Sequence, residues 1–309
     1  MLILASLFAA IIPMSLYLFL IWKMDKYEPE PIKFVISHFM WGAFGAIIFT
    51  IVFSSIAEVA LELSFGVASP LVMTIFSAPF FEEITKGIFL TKTYRDKRFD
   101  NITDGLVYGA AIGLGFGMTE NFFYFITYGD TFTEWIGIVV IRSGFSAVMH
   151  GIATGMFGAI LGFVKYSTKV NKLSLISFGL ILAMAIHAFW NASVSFESTF
   201  AFGFLFMFVI IGLFIGLYKF SLKAEEKLMR VELANELPHE LIQIISTNAR
   251  FAQGWIDERR RLPLIKAATS LAFRKRQFAI VKRNELQKEI DYLREQLNEL
   301  MNENDEVVN

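Results

Sequence analysis

Seven stretches of the chain, roughly 1–22, 34–63, 69–91, 104–128, 135–164, 173–197 and 199–221, are long, apolar and almost free of charge. Each reaches the length of about 20 residues needed to cross a bilayer. Backbone groups in lipid must find partners within their own segment, so each stretch is expected to be a helix. The chain therefore reads as all-α, a polytopic membrane helix bundle of about seven spans. The first stretch lacks the basic start and small-residue cleavage pattern of a removed signal peptide, and it reads as a retained span.

The remaining residues differ in kind. Of 57 charged residues, 30 lie in 222–309, as 15 Lys/Arg and 15 Asp/Glu. The expected division is a membrane domain over 1–221 and a charged, cytoplasmic helical tail over 222–309. Within the tail, Leu286, Ile290, Leu293, Leu297 and Leu300 form a short heptad seam, a candidate surface for self-association. Residues 302–309 read as frayed. Net charge is −1, so nothing points to nucleic acid as a partner. The absence of cysteine excludes disulfides, thiolate metal sites and a Cys nucleophile.

Lys and Arg alternate from one connection to the next. Lys23, Lys26 and Lys33 follow the first stretch, Lys92, Arg95, Lys97 and Arg98 the third, Lys165, Lys169 and Lys172 the fifth, and Lys219, Lys223, Lys227 and Arg230 the last. The intervening connections carry none. The positive-inside rule then predicts an N-terminus outside and a C-terminus in the cytoplasm. Two spans also carry glycine ridges, Gly105, Gly109, Gly113 and Gly117 in one and Gly151, Gly155, Gly158 and Gly162 in another. Small residues at this spacing let helix backbones approach closely.

Ionisable residues inside spans are costly and mark function. Here they are Glu82, Glu83 and Lys86 in span three, Glu120 with Asn121 in span four, Arg142 and His150 in span five, and His187 with Asn191 in span six. At about 1.5 Å per residue, Glu82, His150 and His187 lie roughly 13–21 Å from the inner surface, all in the middle third of the bilayer. Glu120 lies somewhat nearer the outside. Glu82 and Lys86 share a helix face, as do His187 and Asn191. Lys86 can compensate one carboxylate while the other stays available as a general base.

Several residues have plainer readings. Arg142 near a span end is expected to snorkel, and His38, Glu58 and Glu62 are expected to be interfacial. Asp104 after Asp100-Asn101 reads as a helix start, and His239 as a solvated tail residue. Serine-hydrolase, zincin and phosphate-loop motifs are absent.

Taken in order, these residues resemble the PrsW family of intramembrane proteases. The resemblance runs over about residues 20–195, through Asp25-Lys26-Tyr27-Glu28-Pro29-Glu30-Pro31, Glu82-Glu83-Ile84-Thr85-Lys86 and Asp104-Gly105-Leu106-Val107-Tyr108-Gly109. It continues through Gly113-Leu114-Gly115-Phe116-Gly117 to Glu120-Asn121, His150 and His187-Ala188-Phe189-Trp190-Asn191. The CAAX-prenyl endopeptidase group is distantly similar, with Phe-x-x-x-His where this chain has four residues between Phe145 and His150. The resemblance implies an enzyme of a bacterial or archaeal cell membrane. It would hydrolyse peptide bonds of transmembrane or membrane-associated proteins, with anti-sigma factors as the known substrate type. It implies that Glu82 or Glu83 activates water with His150, that His187 and Asn191 stabilise the oxyanion, and that Lys86, Glu120 and Asn121 support them.

The family is classed with metalloproteases, and Glu82, Glu83, Glu120, His150 and His187 could supply ligands to Zn2+. A metal-free reading needs only a Glu base and a His to orient water. The sequence leans to the second, because Lys86 stands one turn from Glu82. Two other classes stay open at this stage. An ion or metal transporter would use the same midplane Glu and His residues, and a non-catalytic membrane sensor would work through its tail.

Overall fold

The computed structural model describes residues 2–66, 69–168 and 170–302. Lys169 and residues 303–309 of the segment expected to fray (302–309) lie outside the described residues, and Asn302 is helical. Helix α1 (Leu2–Met24) is apolar to its end at Lys23. Pro31 precedes α2 (Ile32–Met40), which passes through a π turn (Trp41–Ala46) into α3 (Ile47–Phe65). The left-handed backbone of Gly66 (φ 60°) stops it. Ser69 caps α4 (Pro70–Val72) by accepting from the Val72 amide, and a second π turn (Met73–Ser77) leads into α5 (Ala78–Thr93). Asn101 and Asp104 cap α6 (Ile102–Thr127) reciprocally, and Thr131 and Glu134 do the same for α7 (Phe132–Ile141). A third π turn (Arg142–Ser146) joins α7 to α8 (Ala147–Lys165). Then come α9 (Lys172–Val194), a short 3-10 turn (Glu197–Thr199) and α10 (Phe200–Glu232). No strand occurs among the described residues.

Among the described residues, five helices are long and apolar enough to cross a membrane: Leu2–Lys23, Ile32–Ser64, Phe132–Lys165, Lys172–Val194 and Glu197–Glu232. The expected seven is thus not reached by length and composition. The two remaining stretches are helical and long, but the one from Pro70 holds Glu82, Glu83 and Lys86, and α6 is diluted by glycine, Glu120 and Asn121. The last helix also runs on past residue 221 to Glu232.

The chain forms two compact units, one of Met1–Asp25 with Pro29–Tyr218, the other of Lys26–Glu28 with Lys219–Asn309. In the first, α6 is the central helix, buried on every side from Thr103 to Gly117. Its glycine ridge makes this packing possible. A methyl group at Gly113 would overlap the His150 carbonyl, and one at Gly105 would overlap that of Gly158, so α6 and α8 touch backbone to backbone. On its other side, Gly115 packs on the Phe39 carbonyl and Gly42 on that of Ile112. Large apolar side chains such as Ile3, Ile48, Phe76 and Phe208 face outward, as lipid-facing surfaces require.

The second unit adds α11 (His239–Ile245), α12 (Glu258–Val281) and α13 (Asn284–Asn302). Its core gathers Met229, Leu233, Ile245, Leu264, Leu271, Ile290 and Leu297 together with Tyr27. The heptad seam is therefore spent within the chain: Ile290 and Leu297 are buried here, and α13 packs on α12. Tyr27 donates to the Ser246 carbonyl (2.9 Å), and burial pushes its hydroxyl up to about 12. Glu236 accepts from Lys275 (2.7 Å) and Arg294 (2.8 Å), which hold its carboxyl below the usual range. His239 is exposed and bonded to Gln243, as a solvated helix residue would be.

Candidate functional site

The polar residues of α5, α6, α8 and α9 meet in one buried network inside the first unit. It begins with Glu82, Glu83 and Lys86 on one face of α5. The Lys86 ammonium is fully buried and lies 2.8 Å from Glu83 Oε1 and 3.3 Å from Glu82 Oε2. It also lies 2.9 Å from His150 Nδ1 on α8, and 3.9 Å from the centre of the Phe116 ring. An ammonium only donates, so His150 Nδ1 accepts from it and Nε2 carries the imidazole proton. That Nε2–H points to Glu120 Oε2 on α6 at 2.8 Å.

Glu83 and Glu82 differ sharply. Glu83 accepts from Lys86, from Thr154 Oγ1 (3.1 Å to Oε2) and from His187 Nδ1 (3.1 Å to Oε1). The carboxylate of Glu82 has a single hydrogen bond, from Lys86. Its Oε2 faces His187 Nε2 at 3.8 Å and His150 Nδ1 at 3.9 Å. With Nδ1 donating to Glu83, a neutral His187 ring presents Nε2 as an acceptor, which then faces another acceptor. Such a pair is bridged by a species with two O–H donors, namely water, or by a cation.

The sequence put Arg142 at the membrane surface, and the structure corrects this. Arg142 folds inward, 2.7 Å from Glu120 Oε2, while its Nε donates to Asn121 Oδ1 (3.1 Å) and its guanidinium covers the Tyr124 ring at 3.5 Å. The π turn containing it carries one more residue than an α-helical turn, with the Ala147 amide bonded to the Arg142 carbonyl five residues back. His38 is corrected likewise. It is fully buried, bonded to the Phe34 carbonyl and Thr93 Oγ1 and stacked on Tyr108. Glu58 and Glu62 are exposed near the end of α3.

Asn191 stands one turn beyond His187 and outside the network, donating through Nδ2 to the Thr74 carbonyl (2.9 Å) in the second π turn. Thr154 was missed from sequence, although it follows His150 by four residues on α8 and so shares its face. The motifs around Asp25 and Asp104 meet elsewhere. There Asp25, Glu30 and Asp104 bring their carboxylates together, with Tyr108 donating to Glu30.

Glu82, His150 and His187 form a buried group that could hold a metal ion, with one ligand atom from each within 4.8 Å of the others. Their types suit zinc. The cluster as built does not, because the Lys86 ammonium is bonded to the carboxylate of Glu82 and to the ring of His150, where a dication would be repelled.

Comparison with known proteins agrees with this setting. The model of the family described as PrsW family intramembrane metalloprotease matches residues 30–217, which includes every residue of the network and stops short of the C-terminal unit. Protease PrsW of Oceanobacillus iheyensis is 30% identical over 198 residues, 64% of this chain and 86% of that one. Protease PrsW of Bacillus subtilis is 26% identical over 188 residues, covering 60% and 81%. Protease PrsW of Clostridioides difficile is 25% identical over 222 residues, covering 71% and 90%. No solved structure matches the chain.

Proposed function

The chain belongs to the PrsW family and is an intramembrane protease, and from that premise we propose that it cleaves membrane-associated proteins with a glutamate base and without a metal ion. The observation that carries this reading is the pair of acceptors, Glu82 Oε2 and His187 Nε2, facing each other at 3.8 Å beside an ammonium. A water donating one O–H to each presents its lone pairs outward, ready to attack a carbonyl carbon. As the new C–O bond forms, Glu82 takes the water proton. The C–N bond then breaks, and Glu82 returns that proton to the leaving amine. Glu83 holds His187 and Lys86 in register through its three hydrogen bonds. Asn191, one turn beyond His187, has a second amide N–H beyond the one given to Thr74, and on this reading that N–H is the donor to the developing oxyanion. His150, held between Lys86 and Glu120, orients the ammonium.

The substrates on this reading are single-span or membrane-anchored proteins, with anti-sigma-factor-like regulators as the expected type. The membrane unit crosses the bilayer seven times, because α5 and α6 carry their polar groups inward where the protein, not lipid, surrounds them. The C-terminal unit lies in the cytoplasm and serves localisation or regulation. The test is trapping. The Glu82→Gln, Glu83→Gln double variant, purified from its own cells, should retain membrane-protein substrates that mass spectrometry identifies and that the wild type cleaves in proteoliposomes. Ion flux through wild-type liposomes with no cleavage of the trapped proteins would point to a transporter instead.

A further inference from the structure

A peptide bond inside the bilayer can be attacked only after the substrate helix unwinds, and unwinding strips its N–H and C=O groups of their partners. The enzyme must then supply donors for the carbonyls. The network described above is rich in acceptors, and all three protons of Lys86 are already committed to Glu82, Glu83 and His150.

Two unspent donors lie next to it. Arg142 donates to Asn121 Oδ1, and since an arginine never accepts, this fixes which way the amide faces. Asn121 Nδ2 is thereby turned away from Arg142, and it is buried without a hydrogen-bond partner. Asn121 is 0% exposed and directly follows Glu120, the partner of His150. The second is Ser143 Oγ, next to Arg142 in the third π turn, on a residue 7% exposed and likewise without a partner. A buried unpaired donor costs about 1–3 kcal/mol. Both donors are buried, one on the residue that follows Glu120 and one on the residue that follows Arg142, the partner of Glu120, so an acceptor that reaches them would relieve that cost. The π turn itself fits such a role, since these turns concentrate at functional sites.

We propose that Asn121 and Ser143 form a carbonyl-binding edge that holds the unwound main chain of the substrate beside the Glu82–His187 centre. Arg142 sets its geometry by orienting the Asn121 amide. The ligand class is extended peptide backbone, recognised through its C=O groups and therefore with little demand on side-chain identity. This rests on the protease reading, which it deepens by naming the residues that grip the substrate.

The test is binding of a dye-labelled peptide with about 20 apolar residues and a helix-weakening Gly-Pro pair at its centre, to the full chain in nanodiscs. Asn121→Asp keeps an oxygen for Arg142 while replacing the donor by an acceptor, and Ser143→Ala removes the other donor at nearly constant volume. The expected result is a Kd raised about tenfold, equivalent to about 1.4 kcal/mol, for Asn121→Asp. Ser143→Ala should raise it at least about threefold, with the melting temperature of Ser143→Ala unchanged. Lowered melting with Asn121→Asp would leave Ser143→Ala to decide. Binding by the wild type with an unchanged Kd in Ser143→Ala and in every folded Asn121 variant would overturn the proposal and leave the protease reading standing. A wild type that neither binds nor cleaves the peptide would overturn both.

Discussion

Glu83 accepts three hydrogen bonds and Glu82 only one, although the two residues are adjacent in sequence. On the proposed mechanism this asymmetry suits Glu82 to proton transfer and Glu83 to positioning, a distinction that spacing alone left open because either lies within reach of Lys86. Glu82→Gln, Glu83→Gln and His187→Ala are each predicted to lower cleavage rate about 10²–10⁴-fold. Single-turnover assays should show Glu82→Gln still binding substrate with near-normal affinity, and loss of binding in that variant would count against its role as base. The depth-matching of Glu82, His150 and His187 was legible from sequence because span ends set a common ruler. The inward turn of Arg142 was not, since its place near a span end does not show the Glu120 and Asn121 side chains that it meets.

At the scale of elements, α6 and α8 are held by glycines meeting carbonyls, and the site depends on that approach because His150 lies at one of the contacts. Gly113→Ala is predicted to force the helices apart at a cost of about 1–3 kcal/mol and to reduce cleavage along with thermal stability in detergent. Gly137→Ala, with open space around it, should change neither. Equal behaviour of the two variants would show that the ridge is not what seats α8. The ridge itself was readable from its four-residue spacing. In the C-terminal unit, by contrast, the heptad seam suggested self-association, because sequence shows an apolar stripe but not what covers it. Here α12 covers it. The inclusion of Lys26–Glu28 in that unit had no sequence signal at all. The same unit carries a pH-dependent contact. Lys275 and Arg294 depress the Glu236 carboxyl below its ordinary value of 4.5, so the stabilisation is full above that value and is lost as pH falls through the depressed one. Amide protection in α12 and α13, followed by hydrogen exchange, should decline below about pH 4.5 in the wild type. The Glu236→Gln variant should lack that dependence.

At the scale of the molecule, the family match, the five apolar helices and the buried polar network describe a protease working inside the membrane. The crossing of α5 and α6 decides the topology. A chain without cysteine can report it directly: single cysteines at Lys97 and Ser167 should be labelled only from the cytoplasmic side and one at Asp130 only from outside. Labelling of the Asp130 position from the cytoplasm would reverse the orientation or change the number of spans. How water is activated is a separate question. Elemental analysis of purified wild-type protein together with cleavage in proteoliposomes, before and after dialysis against a chelator, answers it. Substoichiometric zinc and undiminished cleavage after dialysis are expected, with Glu82→Gln inactive throughout. One tightly bound zinc per chain, with activity lost on its removal and restored by zinc, would contradict the metal-free mechanism.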